Sequence, residues 1–185
     1  MRKIINSTFI TLDGVIANPQ NWPSSDVKDN AGGIIQTELL HACDAVLMGR
    51  HTYDGFASVW PTRSGDPYSD RINSMAKYVI SSRLRNPAWN NTTVIGDDPV
   101  EHIRRLKQQP GQDIVQYGFG QLSYALMAHG LLDELRLWVH PVFIGSGGPQ
   151  ALLYRDGPVT KLSLIDTKVL KTGDVILTYQ TARNT

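Results

Sequence analysis

The stretch Ile4–Thr11 is rich in β-branched residues and stops at Leu12-Asp13-Gly14-Val15, a pattern that predicts a strand broken at a glycine. Residues 18–30 follow with two prolines and a run of Asn, Ser and Asp, a polar loop long enough to serve as a lid. Helical spacing of Ile34, Ile35, Leu39 and Leu40 predicts a helix over about 33–42, and the unbroken apolar run Ala45-Val46-Leu47-Met48 predicts a buried parallel strand. Short helices are expected over 52–56 and 68–75 with a loop over 61–67 between them, then strands over 78–80 and Thr92–Ile95. Asp97-Asp98-Pro99 offers capping residues ahead of a first-turn proline, so a helix is expected over Pro99–Gln108. A strand over Asp113–Tyr117, a helix closed by Gly130 and a strand over 135–140 come next. The chain then offers strands over 162–170 and Val175–Thr181, joined by a turn with Gly173 where positive φ is wanted. Strands alternating with helices, with one antiparallel hairpin at the end, predict an α/β, three-layer fold on a mixed, mostly parallel sheet.

At 185 residues the chain is expected to be one domain, 1–185, and 41 % hydrophobic content is enough for an ordinary core. Eighteen basic against seventeen acidic residues leave a net charge of +1, which gives no field to hold a polyanion; nucleic acid and anionic membrane are poor expectations. One cysteine, Cys43, cannot form an internal disulfide or a cysteine-rich zinc site and reads as a small core residue. Asn6, Ser7, Thr8 and Asp13 interrupt any leader-like apolar stretch, and a cytoplasmic location is expected. The five histidines lack ligand spacing, so no metal site is expected, and neither a nucleophile elbow nor a P-loop occurs.

Three strand-to-turn junctions remain, and in open α/β sheets ligands gather at the carboxyl ends of strands. Met48-Gly49-Arg50-His51-Thr52 combines close backbone approach, a helix N-terminus and a guanidinium, which together suit a phosphate, although a tight turn with solvated Arg and His reads equally well. Ile80-Ser81-Ser82-Arg83 could hold a second phosphate or be a solvated loop. Tyr117-Gly118-Phe119-Gly120-Gln121-Leu122 has a glycine pair at a helix start, but Ser123 and Trp138 stand where a dinucleotide fingerprint needs a small residue and an acid.

In order along the chain, Leu12-Asp13-Gly14-Val15, Val46 to Tyr53, Tyr78-Val79-Ile80-Ser81-Ser82, Gly118-x-Gly120, Leu132-Asp133-Glu134-Leu135 and His140-Pro141-Val142-Phe143-Ile144-Gly145-Ser146-Gly147 resemble the dihydrofolate reductase-like family. The resemblance is closest to the branch that holds the reductase domain of bacterial riboflavin biosynthesis and its standalone relatives. It implies an NADPH-dependent oxidoreductase that delivers hydride to a small heterocyclic or carbonyl substrate, such as a phosphoribosylaminouracil. The alternatives are a dihydrofolate reductase and a non-catalytic nucleotide-binding module of the same fold. By resemblance, Gly49, Arg50, His51 and Thr52 would hold the cofactor's phosphates and Ser81, Ser82 and Arg83 its 2′-phosphoribose. Gly118, Phe119, Gly120, Gln121 and Leu122 would meet the pyrophosphate and nicotinamide. Thr11, Trp22 and His140 would bind substrate, with Trp22 in the lid, and Asp13 would supply a proton if one is required. A genuine folate reductase carries an acid in its first helix facing the pterin, and here that helix has only Glu38. The branch also implies a homodimer, for which Leu162, Leu164, Val175, Leu177 and Tyr179 of the hairpin would form an alternating apolar face.

Overall fold

The computed structural model describes residues 1–157 and 159–181; Pro158 and the last four residues of the expected 1–185 domain lie outside them. Eight strands form one sheet: β1 (Ile4–Thr11), β2 (Cys43–Gly49), β3 (Ala76–Ile80), β4 (Thr92–Ile95), β5 (Asp113–Tyr117), β6 (Glu134–His140), β7 (Leu162–Val169) and β8 (Val175–Thr181). Their order is β4-β3-β2-β5-β1-β6-β8-β7. The first six run parallel, and β8 turns antiparallel to both β6 and β7.

Five α-helices flank the sheet: α1 (Ala31–Ala42), α2 (Arg50–Ala57), α3 (Pro67–Ser74), α4 (Pro99–Gln108) and α5 (Gln121–Ala128). Period-two alternation sorts the core into two halves. Ile5, Val46, Met48, Val115 and Tyr117 face α1, α2 and α3, where they meet Leu39, Leu40, Tyr53 and Ile72. Ile4, Ala45, Leu47 and Ile114 face the other way and meet Ile103, Leu106 and Leu126 of α4 and α5. The central strands therefore have both faces covered, which is why β2 reads as a continuous apolar run. Cys43 is buried at the start of β2, and burial pushes its thiol up to about 12.

Boundaries differ from the sequence expectation where local signals are silent. Helix α1 starts two residues early, and α2 starts at Arg50 because Gly49 is still in extended backbone, with φ −77° and ψ 164°. The long polar loop contains a 3-10 turn over Pro19–Asn21, and another covers Trp60–Thr62. The hairpin departs more. β7 is exposed along its whole length, because it is the sheet edge and no helix among the described residues covers it, and a register shift falls between Leu164 and Asp166. In β8 the buried positions are Ile176, Thr178 and Thr181, while Val175, Leu177 and Tyr179 of the expected apolar face are only partly buried. Gly173 does take positive φ, at +90°.

Candidate functional site

The topology makes a crevice between β2 and β5. These strands are neighbours and parallel, yet the helix after β2 packs on one face and the helix after β5 on the other. Their chains diverge at the carboxyl edge, the place where open α/β sheets bind ligands. Ile80, Gly49 and Tyr117, which end β3, β2 and β5, lie side by side there, since Gly49 is in register with Ile80 and Met48 with Tyr117.

The helix starts differ in a telling way. Asp66 caps α3 by accepting from the N–H groups of Tyr68 and Ser69, and Asp98 caps α4 by accepting from that of Glu101. Helices α2 and α5 begin after Gly49 and Gly120 with no side-chain cap. Among the described residues no side chain caps their first-turn N–H groups, which carry the positive end of the helix dipole, so both starts favour an anion.

Below the start of α5 a buried amide network fixes the loop. Asn6 Nδ2 donates to Gln116 Oε1 and to the Gly118 carbonyl, both at 3.0 Å. Gln116 Nε2 donates to Ser123 Oγ at 2.7 Å, and Thr8 donates to Asn6 Oδ1 at 2.7 Å. With the Gly118 carbonyl drawn inward, planarity of the peptide turns the Phe119 N–H away from the network. Gly118 has φ +78°, and a Cβ there would stand 2.2 Å from Thr52 Oγ1, so α2 and the β5 loop touch across the crevice. The Phe119 side chain is buried against Tyr124, ring centroids 5.3 Å apart, and only its backbone can reach a ligand. Leu122 likewise packs into the α4/α5 core, while Gln121 is exposed.

An open groove of about 780 Å³ continues along the edge, lined by Arg50, Asp54, Ile80, Ser81, Ser82, Arg83 and Gly96. Ser81 Oγ accepts from the N–H groups of Arg83 (3.2 Å) and Leu84 (3.0 Å), which shapes the turn and leaves the hydroxyl proton free to donate. Arg50 is engaged with Asp54 through Nε at 2.7 and 2.8 Å. Arg83 makes no ion pair or side-chain hydrogen bond with the described residues. His51 is exposed on α2 beside this groove.

The residues expected at the substrate gather at the next strand pair. Thr11 of β1 is in register with His140 of β6, and Trp22 from the polar loop stands edge-on to the His140 ring at 5.3 Å. Phe9 stacks edge-on against both His140 and Trp138, at 5.0 and 5.6 Å. Thr11 itself is only 2 % exposed, and its hydroxyl is used within the loop, accepting from the Val15 N–H at 3.0 Å and donating to Asp13. Asp13 also accepts from the N–H groups of Ile144 (3.0 Å) and Gly145 (2.7 Å). The Thr11 hydroxyl, then the backbone donors led by Gly145, hold its carboxyl below the usual carboxylate range. A carboxylate held ionised has no proton to give at neutral pH, so the geometry makes Asp13 a clamp joining the end of β1 to residues 144–145.

Sequence reasoning missed Asn6, Gln116, Ser123, Gln36 and Asp174. For Asn6 a signal existed: a polar residue inside a strand that must be buried on both faces needs partners. Helix α1 directs Gln36, not an acid, toward β1, its Nε2 lying 3.4 Å from Ser7 Oγ, while Glu38 is exposed. Among the described residues no cluster of His, Cys, Asp and Glu could hold a metal, and no helix is long and apolar enough to cross a membrane.

A family profile described as the RibD C-terminal domain matches residues 2–178. The uncharacterized protein YyaP of Bacillus subtilis is 31 % identical over 96 % of this chain and 94 % of its own. Among solved structures, a Shewanella protein whose name assigns it to riboflavin biosynthesis aligns with TM-score 0.71 at 21 % identity, covering 99 % of this chain and 100 % of the other. The RibD protein of Acinetobacter baumannii aligns with TM-score 0.64 at 18 % identity, over 98 % of this chain and 58 % of that longer one.

Proposed function

Because this chain belongs to the RibD C-terminal domain family, a reductase-like group, we propose that it is an NADPH-dependent reductase of a small heterocyclic or carbonyl compound. The observation that carries the reading is the crevice itself: two uncapped helix starts on neighbouring strands, with the unpaired guanidinium of Arg83 in the groove beside them. The chain's own groups fit a dinucleotide phosphate. The first-turn N–H groups of α2 and α5 would take the pyrophosphate, and Ser81, Ser82 and Arg83 the 2′-phosphate. When bound, the reduced cofactor supplies hydride. The protein's part is to hold the acceptor against Phe9 and His140, keep water out, and provide a proton.

Arg83 sets the choice of cofactor, since its partner exists only on NADPH. A charge-assisted hydrogen bond contributes roughly 1.5–3 kcal/mol, so Arg83→Ala should weaken NADPH about ten- to a hundred-fold and leave NADH nearly unchanged. Asp54→Ala, which frees Arg50, should tighten NADPH a few-fold, in keeping with the small energies of exposed ion pairs. Fluorescence titration of both cofactors at fixed salt reads these effects, and equal wild-type affinities would refute the assignment.

The same reading includes a homodimer through β7. An eight-residue edge strand with Leu164, Ile165 and Val169 each more than half exposed is a template for pairing with another copy. Light scattering should give about twice the 20.5 kDa chain mass, and Ile165→Lys should return the monomer. A wild-type monomer at high concentration would end the proposal.

A further inference from the structure

We propose that His140, oriented by Asp174, is the residue that passes a proton to the acceptor, and that Trp22 is the cover over it; this role rests on the reductase reading above. Among the described residues, the buried side-chain polar atoms without a partner are Gln36 Oε1, Arg136 Nε and His140 Nε2. Arg136 sits four residues back along β6, about 13 Å from the carboxyl edge at roughly 3.3 Å per residue, and an amide oxygen cannot deliver a proton. His140 ends the strand, faces the substrate side, and is the one group of the three that gives and takes a proton near neutral pH.

Its other nitrogen is committed. His140 Nδ1 lies 2.9 Å from Asp174 Oδ1, and Asp174 is itself steadied by the Thr172 hydroxyl at 2.6 Å on Oδ2. A carboxylate there fixes the proton on Nδ1, so Nε2 is the nitrogen that titrates. Asp174 reaches this place because the β7–β8 turn packs on Pro141, the residue after His140: a Cβ on Gly173 would stand 3.2 Å from Pro141 Cγ. The rings packed against the imidazole are Phe9 of β1 and Trp22 of the polar loop, neither of which titrates, and Asp174 is the charged group that acts on it. Burial lowers the imidazole below its ordinary value and the Asp174 charge opposes this.

The Trp22 side chain is tied down by one hydrogen bond, from its indole N–H to the Ala17 carbonyl at 3.1 Å, and residues 23–30 after it are all exposed. Once a planar acceptor replaces the Trp22 ring, Nε2 gains the partner it lacks. Hydride arriving at a C=O or C=N carbon places the electron pair of the broken π bond on the heteroatom. The Nε2–H bond breaks, the heteroatom–H bond forms, and the imidazole is left neutral to be reprotonated from solvent. Asp174 stays ionised throughout as a positioning residue.

The test joins nitrogen NMR of the imidazoles with turnover of NADPH and 9,10-phenanthrenequinone, a planar dicarbonyl probe. In the wild type the His140 signal, assigned by its loss in His140→Gln, should show Nδ1 protonated across pH 5–8 and Nε2 titrating. In Asp174→Asn its midpoint should fall, and the alkaline limb of the kcat/KM profile, where the donor loses its proton, should move to lower pH with it. His140→Gln should keep NADPH affinity within about two-fold and lose roughly a hundred-fold or more in kcat, the range for general acids. Turnover of His140→Gln within three-fold of wild type, an unchanged profile in Asp174→Asn, or titration at Nδ1 would overturn the role. Failure of the wild type to bind NADPH would sink the reductase reading itself, and the proton-transfer role with it, while the nitrogen titration would still report the His140–Asp174 pair.

Discussion

Gly118→Ala should cost about 3 kcal/mol of stability and remove NADPH binding. An L-residue at φ +78° is strained by roughly 1–2 kcal/mol, and a methyl group 2.2 Å from Thr52 Oγ1 adds an overpacking cost of about 1–3 kcal/mol. Relief requires the loop or the start of α2 to move, and these are the two segments whose N–H groups face the crevice. Adding Thr52→Ala removes the oxygen but not the backbone strain, so the double variant should recover about half of the lost stability and little of the affinity. Thermal unfolding with cofactor titration on the same samples measures both. A Gly118→Ala protein as stable as wild type would mean that the contact across the crevice is slack.

Two fully buried lysines should respond in opposite ways to loss of charge. Lys107 Nζ donates to the Leu131 carbonyl at 2.6 Å and pairs with Asp133, whose Oδ2 also accepts from the Ile4 N–H at 2.7 Å. Lys107→Met strands that carboxylate, and removing one partner of a buried pair costs about 3–5 kcal/mol. For a chain of this size that is a fall of roughly 6–20 °C in Tm, and Asp133→Asn in the same background should recover part of it.

Lys77 is 0 % exposed and has no acidic partner among the described residues. Its ammonium rests on the Asn73 and Met75 carbonyls, at 3.0 and 2.8 Å, and over the Trp89 ring at 4.5 Å. Burial brings it down to about 8 from 10.5. Between those values the unfolded chain holds the proton that the folded chain has released, so stability from this group rises as pH goes from 8 to 10.5. The stability of wild type relative to Lys77→Met should therefore rise by up to about 3 kcal/mol across that window, read by urea titration at several pH values. A pH-independent difference would show that the amine keeps its proton.

The order of strands and helices was legible in the chain itself, because burial on two faces forces the apolar run of β2, and Asp98 ahead of Pro99 announces the helix it caps. The junctions after β2, β3 and β5 could be read as anion sites for the same local reason: glycine, hydroxyl and guanidinium stand where a strand meets a turn. Local sequence did not decide what each of those groups does. Asp13 became a clamp because residues 144–145, more than a hundred positions away in the chain, bring two N–H groups to it. Phe119 turned inward because Tyr124 offers its ring. β7 lies exposed along its whole length because it falls at the edge of the sheet, a property of the whole assembly of strands that no eight-residue pattern contains. Asp174 lies 34 positions from His140, and their meeting depends on the antiparallel return of β8 and the seating of its turn on Pro141. Side-chain type and spacing along the chain fix periodicity and turns, which are local; partners across the sheet are set by register and by which helix lies on which face, and only the folded chain supplies these.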